Sequence, residues 1–60
     1  MKNNYIVEYT RNSTGKSCAD IFPSKAAAFK FTRDPSITCE RVIEIYPNGK
    51  EKIIIENKTL

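Results

Sequence analysis

The stretch that most constrains this chain is residues 24–33, SKAAAFKFTR, because no other segment has the chemistry of a helix. Ser24 can accept a hydrogen bond from an unpaired amide of the first turn, and the alanine run has high helix propensity. Asp34 stands before Pro35, and a residue before proline avoids helical geometry, so the helix is predicted to end there. A helix of about ten residues is marginal alone in water, so it must pack on a sheet.

The remainder of the chain is typical of strands and turns. Alternation of β-branched and aromatic residues predicts strands over residues 5–10, 17–22, 37–46 and 51–56. This order predicts an α+β fold, β-hairpin–α–β-hairpin (ββαββ), with a four-stranded, mostly antiparallel sheet and one helix packed on one face. At 60 residues the chain is expected to be a single small domain, residues 1–60, in which residues 57–60 form a frayed tail.

Alternation within each strand also predicts which side chains face the helix. The predicted inward residues are Tyr5, Val7, Tyr9, Ala19, Ile21, Ile43, Ile45, Ile53 and Ile55. The other face would carry Ile6, Val42 and Ile54, an exposed apolar patch if their strands are adjacent. Such a patch favours dimerisation or docking of a partner. The alternative is an ordinary strand surface with isolated apolar residues.

Residues 46–50, YPNGK, form the strongest hairpin signal in the chain. The Asn-Gly pair is typical of a two-residue type I′ loop, whereas Pro47 also suits a type I turn followed by Gly49 in the left-handed conformation. We prefer the second interpretation, because its register pairs Ile43 with Ile53. The shorter loop would pair Glu44 with Ile53 and mix polar and apolar faces.

The element order resembles that of the small immunoglobulin-binding domains of streptococcal surface proteins. In those domains the first and last strands are central and parallel. The similarity is one of element order alone, and it implies no function.

The residue types present argue against an enzyme or a metal protein. The chain has no histidine, the usual general base and the commonest metal ligand. Cys18 and Cys39 make a poor zinc set and are interpreted as small, half-buried, reduced side chains. Residues 14–17, TGKS, match the end of a phosphate-binding loop, but Thr10 stands where that motif needs glycine. We therefore expect no catalytic residue, metal, cofactor or small-molecule substrate.

Nothing in the sequence predicts a membrane partner. The first residues lead into a strand with no apolar stretch of a signal peptide, and the longest apolar run, residues 53–55, is far too short for a membrane span. We expect a cytoplasmic protein.

Phe29 is the side chain that burial of the helix leaves unexplained. If Ala28 and Phe31 face the sheet, Phe29 lies about 100° away from Ala28 around the helix. It shares a stripe with Lys25 and Arg33. An aromatic ring flanked by cations has the composition of a surface that binds a protein, or that stacks on a base while its cations contact phosphates.

The predicted partner-binding residues are Lys25, Phe29, Lys30 and Arg33. The alternative is that Phe29 wraps over the edge of the sheet, onto Phe22, under the stems of the flanking cations.

The leading functional hypothesis is a small non-enzymatic protein-binding module, with self-association also open. Short chains rich in Lys, Asn and Ile with this plan resemble small accessory proteins of bacteriophages and mobile elements, and that resemblance implies a protein that inhibits or redirects a host protein. The alternative is a small basic nucleic-acid-binding module, which a net charge of +3 and a pI near 9.0 favour. No recognition helix or aromatic sheet motif supports that alternative.

Overall fold

The computed structural model describes residues 3–56, which form four strands and one helix. The strands are β1 (Asn4–Arg11), β2 (Ser17–Phe22), β3 (Ile37–Ile45) and β4 (Glu51–Glu56). The helix, α1 (Lys25–Thr32), lies between β2 and β3 in the chain. The predicted α+β composition, a four-stranded antiparallel sheet with one helix, is confirmed. The predicted frayed tail, residues 57–60, lies outside the described residues.

The sheet has the strand order β2-β1-β3-β4, and each neighbouring pair is antiparallel. The central strands are therefore β1 and β3, and β4 is an edge. In the streptococcal domains the first and last strands are central and parallel, so the likeness to them stops at the order of elements. The pairing of β1 with β3 is the long-range contact that joins the two hairpins.

Local chemistry sets both ends of α1. The Ser24 side chain accepts a hydrogen bond from the Ala27 amide at 3.2 Å, as an N-cap serine should. At the other end the Arg33 amide donates to the Lys30 carbonyl at 3.2 Å, and the Asp34 amide donates to the Phe31 carbonyl at 3.1 Å. The helix begins and ends within one residue of the predicted range 24–33.

The helix packs through small and aromatic side chains. Ala28 is completely buried. The Phe31 ring meets the Tyr9 ring edge-on, with 4.9 Å between centroids, and lies 5.0 Å from the Phe22 ring. Within residues 3–56 the helix contacts β1, β2 and β3 but not β4. We call the sheet face toward α1 the inner face and the opposite face the outer face.

The core confirms the predicted face of β1 and overturns the predicted faces of the other strands. Its buried residues are Val7, Tyr9, Ala28, Ile37 and Val42. In β2, Cys18 and Phe22 pack on the core, whereas Ile21 is 67% exposed. The expectation that Ala19 and Ile21 point inward is therefore wrong.

The same reversal occurs in β3 and β4. Val42 is fully buried, so Ile43 and Ile45, which alternate with it, lie on the outer face. Ile53 and Ile55 remain 48% and 37% exposed, whereas their neighbour Ile54 packs on the core. The predicted inward positions of Ile43, Ile45 and Ile53 are therefore wrong, whereas Ile55 is opposite Val42 of the inner face and is partly exposed.

A β-bulge in β3 explains the reversal there. Glu8 is opposite Arg41 and Tyr9 is opposite Cys39, so Glu40 is an extra residue in β3. One extra residue moves every later side chain to the other face. Ile37 and Cys39 therefore face inward before the bulge, and Val42 faces inward after it.

A second irregularity shifts β4. Ile43 is opposite Ile53, but Val42 is opposite Ile55, so Ile54 is the extra residue of β4. The bulge lets Ile54 reach the core although Ile53 lies on the outer face.

The turn between β3 and β4 has the preferred form. The Gly49 amide donates to the Tyr46 carbonyl at 2.9 Å, the Tyr46 amide donates to the Lys50 carbonyl at 2.8 Å, and Gly49 has φ of 89°. A type I′ loop needs positive φ at two successive residues. Among residues 3–56 only glycines have positive φ, so Asn48 excludes that loop. The predicted pairing of Ile43 with Ile53 is confirmed.

Candidate binding surfaces

Four isoleucines form a line across the outer face of the sheet. Ile21 of β2 is opposite Ile6 of β1, Ile6 is opposite Ile43 of β3, and Ile43 is opposite Ile53 of β4. At the ordinary spacing between strands this line is about 14 Å long. We call Ile21, Ile6, Ile43 and Ile53 the isoleucine row.

The isoleucine row is exposed most at its two ends. Ile21 is 67% exposed and Ile53 is 48% exposed, while Ile6 and Ile43 between them are half-buried by their neighbours. Ile45 extends the apolar surface by one position toward the β3–β4 turn. Contiguous apolar surface of this kind is typical of interaction sites, whereas single exposed isoleucines are ordinary.

One long side of the isoleucine row is bordered by carboxylates. Glu8, Glu40, Arg41 and Glu56 line a single shallow depression on the outer face. We call these four residues the acidic rim. The Arg41 Nε donates to the Glu8 carboxylate at 2.5 Å, and this hydrogen bond raises the pKa of the Arg41 guanidinium. The Thr10 hydroxyl donates to the Glu40 carboxylate.

The outer face carries the opposite charge to the whole chain. Glu51, which is opposite Ile45, adds a fourth carboxylate beyond the other side of the isoleucine row. Four carboxylates against the single Arg41 guanidinium leave three uncompensated negative charges among the side chains that strand pairing places on this face. The net charge of the chain is +3, so its cations are concentrated elsewhere.

Some of those cations lie on α1, where the partner-binding stripe was predicted. The Lys25 Nζ lies 5.7 Å from the centroid of the Phe29 ring, so the structure brings these two side chains together. Lys25, Lys30 and Arg33 are exposed, with Arg33 at the end of the helix. Whether these residues bind a partner stays a prediction.

Phe29 is half-buried and packs against the core. Phe31, rather than Phe29, contacts Phe22. Because Phe31 lies toward β2, Phe29 lies on the β3 side of Ala28, and Lys25 contributes to lowering the pKa of Glu44 on that side. The Phe29 ring is therefore packed, as the alternative interpretation expects, but it does not pack on Phe22.

The predicted outer patch of Ile6, Val42 and Ile54 does not exist as one surface. Ile6 lies on the outer face, but Val42 is 0% exposed and Ile54 packs on the core from the inner face. The bulges at Glu40 and Ile54 reversed the alternation on which that patch depended. Sequence reasoning missed Ile21, Ile43 and Ile53, which it had assigned to the core. The sequence did predict that Ile43 pairs with Ile53, which are two of the four residues of the isoleucine row.

The cysteines lie on either side of Tyr9. Cys18 and Cys39 are both opposite Tyr9, from β2 and β3 respectively. They are two strand spacings apart, about 10 Å, whereas a disulfide needs Cα atoms within about 7 Å. Partial burial raises the pKa of the Cys39 thiol. No group of three potential metal ligands occurs in residues 3–56.

Two tyrosine–carboxylate pairs fix side chains at the border of the core. The Glu44 carboxylate accepts hydrogen bonds from Asn3 and Tyr5, both at 2.9 Å, and these lower the pKa of Glu44. The Tyr9 hydroxyl donates to Asp20 at 2.8 Å, which raises the pKa of Tyr9. Each pair gives a phenol at the border of the core a charged acceptor, as a structural contact requires.

Comparisons with known proteins give no relative: no protein-family model, no curated protein and no solved structure matches the chain. In the part of the chain that the structure describes, α1 is neither long nor apolar enough to cross a membrane. The two surfaces described above are therefore the basis on which a function is proposed.

Proposed function

We propose that this chain is a small non-enzymatic protein-binding module that docks a protein partner on the outer face of its sheet. The isoleucine row carries this proposal, because it places four apolar side chains in one line on a face that α1 does not cover. Fully burying an isoleucine contributes about 1.5–3 kcal/mol. Docking over Ile21 and Ile53 recovers roughly half of that for each, since each is about half to two-thirds exposed.

In this proposal the chain has the ββαββ arrangement with the helix on the inner face, so that α1 supports the sheet and leaves the outer face to the partner. The biological setting we propose is that of an accessory protein of a phage or mobile element that inhibits or redirects a host protein. Its short chain and its Lys, Asn and Ile content support that setting.

The test is affinity capture from a bacterial lysate with variants on each surface. Ile21→Thr/Ile53→Thr keeps β-branched side chains in both edge strands and makes the ends of the isoleucine row polar. Lys25→Ala/Lys30→Ala is the matched control on the helix. We expect the wild-type chain and the helix variant to retain the same partner, identified by mass spectrometry, and the isoleucine variant to lose it.

Far-UV circular dichroism would establish that both variants fold. A partner that the isoleucine variant retains and the helix variant loses would contradict docking on the sheet. Failure of the wild-type chain to retain any specific protein would contradict the binding function itself.

A second candidate, a small basic nucleic-acid-binding module, is favoured by the exposed Lys25, Lys30 and Arg33 on the side away from the acidic outer face. Titration of labelled single-stranded DNA, duplex DNA and RNA at 50 mM salt tests it. Binding through phosphates would weaken steeply with added salt and with Lys25→Ala/Lys30→Ala. A flat titration at 50 mM salt would exclude this function.

A further inference from the structure

We infer that the partner of the outer face presents apolar side chains bordered by lysine or arginine, and that these cations dock on the acidic rim. This inference rests on the proposed docking role of the isoleucine row and adds the chemistry of its occupant. It excludes a second copy of this chain as that occupant.

The acidic rim keeps an excess of negative charge within the described part of the chain, because it holds three carboxylates and one guanidinium. Arg41 is the one cation among them, and its guanidinium is already hydrogen-bonded to Glu8. Glu40 accepts a hydrogen bond from the neutral hydroxyl of Thr10, which leaves its charge in place. Glu56, opposite Arg41 at the edge of the sheet, is exposed. A partner that covers this face must therefore supply positive charge or bury carboxylates without compensation.

The spacing of the two features suits one contact. Residues that alternate on one face of a strand are about 6.7 Å apart, and this is the separation of Glu8 from Ile6 and of Arg41 from Ile43. Lysine and arginine carry their charge at the end of a long apolar stem. A partner residue beside the isoleucine row can thus reach the acidic rim with its charge while its stem remains on apolar surface.

A second copy does not meet this requirement. A two-fold interface apposes the same surface of both chains. Stacking two outer faces brings the acidic rim against either its own copy or the edge that carries Glu51, and among residues 3–56 the one cation that strand pairing places on each face is Arg41. The repulsion of like charges opposes that stack.

The experiment uses two labelled peptides of equal length as probes: an amphipathic leucine–lysine helix and its leucine–glutamate counterpart. Their binding is measured by fluorescence anisotropy at 50 mM and 500 mM NaCl. The protein is used as the wild type, as Glu40→Gln/Glu56→Gln and as Ile21→Thr/Ile53→Thr. Light scattering gives the solution mass of each.

We expect the lysine peptide to bind the wild-type protein and the glutamate peptide not to bind. Glu40→Gln/Glu56→Gln removes two carboxylates and should weaken binding of the lysine peptide about tenfold at 50 mM NaCl. The difference should be smaller at 500 mM, because salt screens exposed charges. Ile21→Thr/Ile53→Thr should weaken it as well, and the solution mass should be that of a monomer.

Equal binding of both peptides, lost in the isoleucine variant but unchanged in the glutamine variant, would overturn the basic partner and leave the docking face in place. Binding unaffected by the isoleucine variant would overturn the docking face itself, and the inferred partner with it. Failure of the lysine peptide to bind the wild type would overturn the inferred chemistry. So would a wild-type dimer that Ile21→Thr/Ile53→Thr dissociates.

Discussion

Truncation of Val42 should destabilise this protein more than truncation of the larger Ile43 beside it. The two residues are consecutive in β3, so the lower strand propensity of alanine affects both variants alike. Side-chain size alone predicts the opposite order, because Ile43 loses more atoms. The comparison of Val42→Ala with Ile43→Ala therefore tests which face of β3 is buried.

The magnitudes follow from burial. Val42 is 0% exposed, and removal of its two methyl groups forfeits about 1.6 kcal/mol of transfer free energy at about 0.8 kcal/mol each. The cavity left behind raises the loss to about 2–3 kcal/mol. Ile43→Ala removes three carbons, but Ile43 is half-buried on the outer face and leaves no closed cavity, so the loss should be about 1–1.5 kcal/mol.

Urea unfolding followed by far-UV circular dichroism measures both losses in a chain without tryptophan. A single core of this size gives roughly 3–5 kcal/mol of stability, and an m-value of about 1 kcal/mol/M converts the losses into midpoint shifts. Val42→Ala should lower the midpoint by about 2–3 M and Ile43→Ala by about 1–1.5 M. A larger loss for Ile43→Ala would refute the bulge at Glu40, and with it the exposure of the isoleucine row.

Three further outcomes follow from individual contacts. Gly49→Ala should lose about 1–2 kcal/mol in urea unfolding; φ is 89°, and no atom lies within 4 Å of the added Cβ, so a loss near zero would show that the turn relaxes. Ser24→Ala should lower the free energy of unfolding in urea by about 1 kcal/mol through loss of the N-cap, and Ser24→Asp should restore it. Hydrogen bonds from Asn3 and Tyr5 lower the pKa of Glu44 from its ordinary 4.5, so this carboxylate stabilises the fold above that pH and the stabilisation is lost as the pH falls through the lower folded value. Unfolding at pH 7 and pH 3 should therefore show a smaller acid loss for Glu44→Gln than for the wild type, and an equal loss would remove Glu44 from the acid response.

Features set by neighbouring residues were predictable from the sequence. The cap at Ser24, the end of the helix before Pro35, and the turn closed by Gly49 each depend on a few consecutive residues, and each lies where the sequence indicates. The bounds of β2 and β4 agree with the predicted ranges 17–22 and 51–56 for the same reason.

The faces of the strands were not predictable in the same way, because they depend on partners distant in the chain. The extra residue at Glu40 is defined by the pairing of β3 with β1, and β3 carries apolar residues in both phases, as Val42 beside Ile43 illustrates. In β4 three consecutive isoleucines, residues 53–55, show no alternation. In β2 the neighbours Ile21 and Phe22 are both apolar, so either could face the core. Phe22 faces it in the structure, where its ring packs on that of Phe31.

The proposed binding surface was missed for the same physical reason. The alternation predicted from the sequence was out of phase with the structure. It placed Ile21, Ile43 and Ile53 in the core, and it placed Val42 and Ile54 on the outer face. The helix stripe was easier to find, because a helix brings residues four apart together without help from the rest of the fold, as the contact of Lys25 with Phe29 shows.

The isoleucine row and the acidic rim are best understood as one device. A small chain that lines up isoleucines across one face of its sheet, with the two edge residues exposed, is open to stacking with its own copies, since flat apolar sheet surface is an aggregation hazard. Charges beside such a surface oppose that stacking, and here they are carboxylates while the chain as a whole is positive. In the proposed role, the charges that oppose stacking of copies also favour a cationic partner, so specificity against self and affinity for a basic protein surface would have the same physical origin.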